Sequence, residues 1–130
     1  MKKTLFALAA VAGLALATTA TAGPYGKRVA SDTASGKNAV ASVSGKANRP
    51  RRIYLQVRTE PEQRFRASWS MRCSRGVRVG SASGDFSARA PLTKRLMLPL
   101  RRPSGCQVIA TGRLRGSGRI VVAIYNKKRR

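Results

Sequence analysis

Apolar and polar residues alternate with period two along most of the chain between residues 49 and 126. The longest run is RFRASWSMRC, residues 64–73. Phe65, Ala67, Trp69, Met71 and Cys73 share one parity, and Arg64, Arg66, Ser68, Ser70 and Arg72 share the other. Successive side chains of an extended strand point to opposite faces, so this run predicts a strand with one apolar and one arginine-bearing face. Shorter runs repeat the pattern. Ile53, Leu55 and Val57 precede the turn TEPEQ, and Val77 and Val79 flank Arg78 before SASG. Phe86, Ala88 and Ala90 alternate up to Pro91, and Leu96, Leu98 and Leu100 up to RRPSG. Cys106, Val108, Ala110 and Leu114 come next, and after RGSG the chain ends its alternation with Ile120, Val122 and Ile124. These seven candidate strands are separated by Gly, Pro and Ser clusters, and none has helical spacing. The domain is expected to be all-β, its seven antiparallel strands packed as two sheets. A small β-barrel is the competing architecture.

The flanks differ. Residues 23–48 are small, polar and rich in Gly, Ser and Ala, with little to bury, and are expected to form a flexible, mildly basic arm. A short strand over Ala39–Val43 is its one ordered candidate. Residues 1–22 place Lys2 and Lys3 before an apolar stretch and end in Ala20 and Ala22, the layout of a cleaved secretory signal peptide. The stretch is shorter than a membrane span needs. Cleavage after Ala22 would leave an exported chain, secreted, periplasmic or cell-wall associated, with a β-domain over 49–126 and a basic tail over 127–130.

Charge changes the picture most. The chain carries 27 Lys and Arg against four Asp and Glu, with no histidine, for a net charge of +23. A charge of that size repels itself and attracts polyanions whatever the fold. A GC-rich genome would explain an excess of arginine over lysine but not the scarcity of acids.

Two cysteines in an exported chain predict a disulfide between Cys73 and Cys106. A bridge closing a loop of about 34 residues stabilises by roughly 3 to 4 kcal/mol on the chain-entropy model. A free thiol and a metal ligand are the other readings, and with no histidine a zinc site lacks its ligands.

With Cys73 ending the second candidate strand and Cys106 starting the sixth, the chain resembles the immunoglobulin-like group. Trp69 on the second strand is closer to the fibronectin type III variation. The pattern WSMRC, PLTKRLMLPLRRPSGC, GSGRIVVAI is similar to small exported β-sandwich domains of bacteria with GC-rich genomes. This resemblance covers about residues 51 to 126 and implies a bridge running between the two sheets. It implies nothing specific about function.

Catalytic chemistry has few candidates. Without histidine the commonest general base is missing. Glu60 and Glu62 flank Pro61 in a turn where arginines are expected to pair with them. Only a Ser–Lys arrangement is left for nucleophilic catalysis, and Lys94 has no serine motif beside it. The glycines of GSG, residues 116–118, sit at a hairpin rather than at a strand-to-helix phosphate loop. No cofactor or metal is expected, and the protein is expected not to be an enzyme.

Binding remains. Arg52 and Arg58 on the first candidate strand and Arg64, Arg66 and Arg72 on the second lie on the outward parity. If those strands paired as a hairpin they would form one cationic patch. Its partners would be phosphates or carboxylates of a cell-wall polymer, extracellular nucleic acid or anionic lipid, engaged by diffuse electrostatics. The guanidinium fork suits both groups. Base stacking would fall to Tyr54 and Tyr125, also outward. Docking on a specific protein partner and a cationic antimicrobial action are the alternative functions.

Overall fold

In a computed structural model, residues 24–48 and 52–127 are described, so residues 1–23, which include the expected signal peptide, and residues 49–51 and 128–130 lie outside the described part. Eight strands follow one another: β1 (Lys27–Lys37), β2 (Val40–Asn48), β3 (Arg52–Glu60), β4 (Arg64–Arg75), β5 (Arg78–Arg89), β6 (Leu92–Leu96), β7 (Gly105–Leu114) and β8 (Ser117–Lys127). They form two four-stranded antiparallel sheets, ordered β1-β8-β3-β6 and β2-β7-β4-β5. The all-β, two-layer expectation holds, and the molecule is an open sandwich rather than a closed barrel. Among the described residues no helix is long and apolar enough to cross a membrane.

The inward parity of each strand builds the core. Ile53, Leu55 and Val57 of β3, Phe65, Ala67 and Met71 of β4, Val108 and Ala110 of β7, and Ile120, Val122 and Ile124 of β8 are all buried. Gly112 of β7 is buried and faces β8 of the other layer. A Cβ there would stand 2.8 Å from a methyl of Val122 and 3.1 Å from Ile120. Trp69 is half-buried and lies over Gly84, its cross-strand partner on β5, where a missing side chain leaves room for the indole.

Four expectations are corrected. First, the segment read as a flexible arm forms β1 and β2, one strand in each sheet. Ala39, Ala41, Val43 and Ala47 alternate and are buried, so the period was present but written in residues too small to register as a core face. Second, there are eight strands rather than seven. The third and fourth candidates are one strand, β5, which runs unbroken through SASG beside β4. The fifth moves upstream, because Pro99 has no N–H to extend a ladder; β6 ends at Leu96, and Leu98 and Leu100 pack on the core from the following loop.

Third, the strand order differs from the immunoglobulin-like arrangement that the resemblance implied. Only β4 and β5 are consecutive in sequence and neighbours in a sheet, while every other connection crosses between layers. This is the jelly-roll order. Fourth, the Cys73–Cys106 bridge does not join the two sheets. The two residues are direct cross-strand partners on β4 and β7, with Cα atoms 4.0 Å apart. The pairing of the two cysteines stands, and its location is within one layer.

Candidate polyanion-binding face

The arginines named from the sequence do not form one patch. β3 and β4 do not pair; they lie in opposite sheets and show their polar parity to opposite sides. Arg52 and Arg58 therefore stand on the outer face of the β1-β8-β3-β6 sheet, and Arg64, Arg66 and Arg72 on the outer face of the other. On β4, Arg72 is six residues from Arg66, about 20 Å along an extended strand.

What gathers around Arg64 and Arg66 comes from elsewhere in the chain. β4 is flanked by β5 and β7, and the ladder sets Arg66 opposite Arg113 of β7 and Arg64 opposite Arg89 of β5. Just past β7, the Arg115 N–H donates to the Arg64 carbonyl at 3.4 Å. Arg64, Arg66, Arg89, Arg113 and Arg115 are all exposed. Five arginines from three adjacent strands thus occupy one corner of one face. Strands stand about 4.8 Å apart, so neighbouring rows of guanidiniums can span successive charges of a linear polyanion.

The local electrostatics are one-sided. Asp85 pairs with the cluster, 3.8 Å from the Arg66 guanidinium, with both side chains two-thirds exposed. Like charges directly across a ladder destabilise a sheet. Folding therefore gains nothing from the pairs Arg66–Arg113 and Arg64–Arg89, and an incoming anion would relieve them.

The rest of the face is hydroxyl-rich. Ser42, Thr111 and Ser68 form one row, with Ser42 and Thr111 hydrogen-bonded through their hydroxyls at 3.2 Å. Ser44, Ile109, Ser70 and Ser83 form the next. Arg72 follows, beside Gln107 with Lys46 beyond it, over a shallow depression next to the disulfide.

On the opposite face Tyr54 and Tyr125 are cross-strand partners, and Tyr25 lies against both, with ring centroids 5.2 and 6.3 Å away. The ladder places Arg95 beside Tyr54 and Arg28 beside Tyr125, and Arg52 opposite Lys127. Each ring already has an aromatic neighbour and is half-buried, which leaves less open π-surface for a base than two free tyrosines would offer.

The other candidates are engaged locally. Glu60 forms an ion pair with Arg119, the pairing expected for that turn. The Lys94 ammonium of β6 stands 5.3 Å over the Phe86 ring of β5. Among the described residues no three His, Cys, Asp or Glu side chains come together.

Sequence reasoning had Arg64, Arg66 and the outward parity of β4, but not the company of Arg113, Arg115 and Arg89. Their signal was the alternation Arg113–Leu114 and Ala88–Arg89, which sets their face. Which strand they stand beside is a matter of long-range pairing.

No protein-family model and no curated protein matches the sequence. Solved structures give distant likenesses. The crystal structure of PirA aligns with 74% of this chain and 90% of its own at 11% identity, with a TM-score of 0.40. The galactotriose complex of the carbohydrate-binding module TmCBM61 aligns with 74% of this chain and 68% of its own at 11% identity and a TM-score of 0.41. The Yersinia pseudotuberculosis-derived mitogen aligns with 77% of this chain and 85% of its own at 7% identity and a TM-score of 0.42. At such identities and scores these likenesses carry no inference about ligand or chemistry.

Proposed function

We propose that this protein is an exported, non-catalytic binder of linear polyanions, engaged through the outer face of the β2-β7-β4-β5 sheet. The observation that carries the reading is the corner where Arg64, Arg66, Arg89, Arg113 and Arg115 gather, with Asp85 paired to Arg66. The contact would be to phosphate, sulfate or carboxylate groups along a polymer, with arginine forks pairing bidentately. Among the described residues no aromatic side chain stands on this face, so recognition would be of backbone charge rather than of bases or sugar rings. Arg72 and Lys46 would extend the track along the sheet, while Arg52 and Arg58, on the far side, would add only to the long-range field.

Salt dependence tests this directly. Duplex DNA of fixed length serves as the probe, titrated at a series of salt concentrations. The log of the binding constant is expected to fall linearly with log salt, with a slope of about −0.9 per phosphate engaged. Arg66→Ser/Arg113→Ser should reduce that slope by about 2, and Arg52→Ser/Arg58→Ser should leave it nearly unchanged. Equal effects from the two pairs would mean that general charge, not this face, binds the polymer. A protein partner retained at high salt, with no DNA or heparin binding at low salt, would instead favour the docking module.

A further inference from the structure

The end of the sandwich that carries the disulfide combines two features that the core does not require. The first is exposed apolar side chains. Val77, in the turn between β4 and β5, is 98% exposed, Met97 after β6 is 73% exposed, and Val79 is 54% exposed. A β-branched residue in a two-residue turn serves neither the turn nor the packing. The two segments belong to one surface. Ser104 hydrogen-bonds the Ser74 carbonyl through its N–H at 2.7 Å and its hydroxyl at 2.9 Å, and the Leu100 side chain lies against Gly80. The loop from Met97 to Ser104 is thereby tied to the β4–β5 hairpin.

The second feature is a rim of one sign. Arg75 and Arg78 flank the hairpin turn, and Arg101 and Arg102 sit in the neighbouring loop, all exposed. All four carboxylates of the chain lie elsewhere. Asp32 is midway along β1, accepting from the Ser42 N–H, and Asp85 is midway along β5 against Arg66. Glu60 and Glu62 are at the opposite end, where Glu60 pairs with Arg119. Apolar tips ringed by arginine, with no acid among them, complement a surface that is anionic outside and apolar just beneath.

We propose that this end docks on anionic lipid bilayers. Val77 and Met97, with Val79 beside them, enter the headgroup–acyl boundary, and Arg75, Arg78, Arg101 and Arg102 pair with lipid phosphates. Shallow apolar insertion and attraction to anionic headgroups add in such contacts. The strands behind the tip stay folded, held by the Cys73–Cys106 bridge two residues from Arg75. Val79 shares the depression beside Arg72 and Lys46, but Val77 and Met97 lie outside it and away from the Arg66–Arg113 corner, so substituting them tests this proposal apart from polymer binding.

Co-sedimentation with phosphatidylcholine vesicles, with and without phosphatidylglycerol, tests the proposal on the full mature chain. Binding is expected only to the phosphatidylglycerol-containing vesicles. Val77→Ser/Met97→Ser should weaken it about tenfold or more, the scale set by withdrawing two large apolar side chains from a non-aqueous layer. DNA binding and the unfolding midpoint of that variant should match the parent, because both side chains are exposed. Arg75→Ser/Arg78→Ser should weaken vesicle binding as well. Undiminished vesicle binding by Val77→Ser/Met97→Ser would overturn the proposal and leave charge alone as the cause. Absence of binding to phosphatidylglycerol vesicles would also overturn it. So would self-association that the same variant abolishes without any effect of vesicles, which would make a second copy the occupant of the tip.

Discussion

Side chains on the inward parity of β3, β4, β7 and β8 do what their spacing said, but the residues that position the layers are those without side chains. Gly112 occupies a core-facing position on β7, and the methyl of Val122 and the edge of Ile120 fill the space its Cβ would take. Gly112→Val should destabilise the protein by about 1 to 3 kcal/mol, since overpacking forces the opposing side chains off their rotamers. Chemical denaturation would measure it, and an unchanged midpoint would mean that the sheets can move apart at little cost. Gly84 is a milder case, because its space is taken by Trp69 from the neighbouring strand. The apolar parity of β4 was legible residue by residue. That Trp69 would end half-buried over Gly84 was not, because it depends on β5 lying beside it.

At the scale of elements, the least legible part was the pair of strands nearest the N-terminus. The apolar positions of β1 and β2 are filled by Ala and Val among Ser and Gly, and each is an edge strand of its sheet. Small residues suffice there because edge strands cover a margin of the core rather than its centre. The two edges meet, and the Asp32 carboxylate of β1 accepts the Ser42 N–H of β2 at 3.0 Å. That bond uses an otherwise open edge donor and joins the two sheets on this side, which also blunts a pairing hazard. Asp32→Ala should lower stability by about 1 kcal/mol. Its further signature is faster hydrogen exchange at Ser42, with the amides at the centre of β4 unaffected. The disulfide also belongs to this scale. It ties β4 to β7, strands already joined by hydrogen bonds, and so locks a register rather than clasping two layers.

For the molecule as a whole, the excess charge is distributed rather than gathered, but unevenly. Arginines stand on both outer faces, with one dense corner on the β2-β7-β4-β5 sheet and an acid-free rim at the disulfide end. Such a surface repels itself, so an anionic ligand that neutralises it should stabilise the native state by mass action. Heparin is expected to raise Tm at low salt, with the increment vanishing at high salt. Arg113→Ser should have opposite effects in the two conditions. It removes a like-charge neighbour of Arg66 and so raises the Tm of the free protein by a small amount, while reducing the shift produced by heparin. A variant that lowered both would make Arg113 a structural residue instead.

Much of this protein was decided locally. Period two and the turn residues determine that it is all-β, they and the cysteine pair point to a sandwich with a bridge between Cys73 and Cys106 over a small barrel or free thiols, and they place Arg64, Arg66 and Arg72 on one side of one strand. These are properties of neighbours in the chain, where the pleat alone dictates which way a side chain faces. The tertiary structure decided which strands pair: the jelly-roll order, the bridge lying within a layer, and the separation of Arg52 and Arg58 from Arg64 and Arg66. It also brought Arg113 and Arg89 to their places beside β4. Pairing between strands dozens of residues apart is set by how all the apolar faces close over one another, and that is a property of the whole chain rather than of any stretch of it. The arginine face of RFRASWSMRC would therefore be a site only in the company of two strands that its own sequence does not mention.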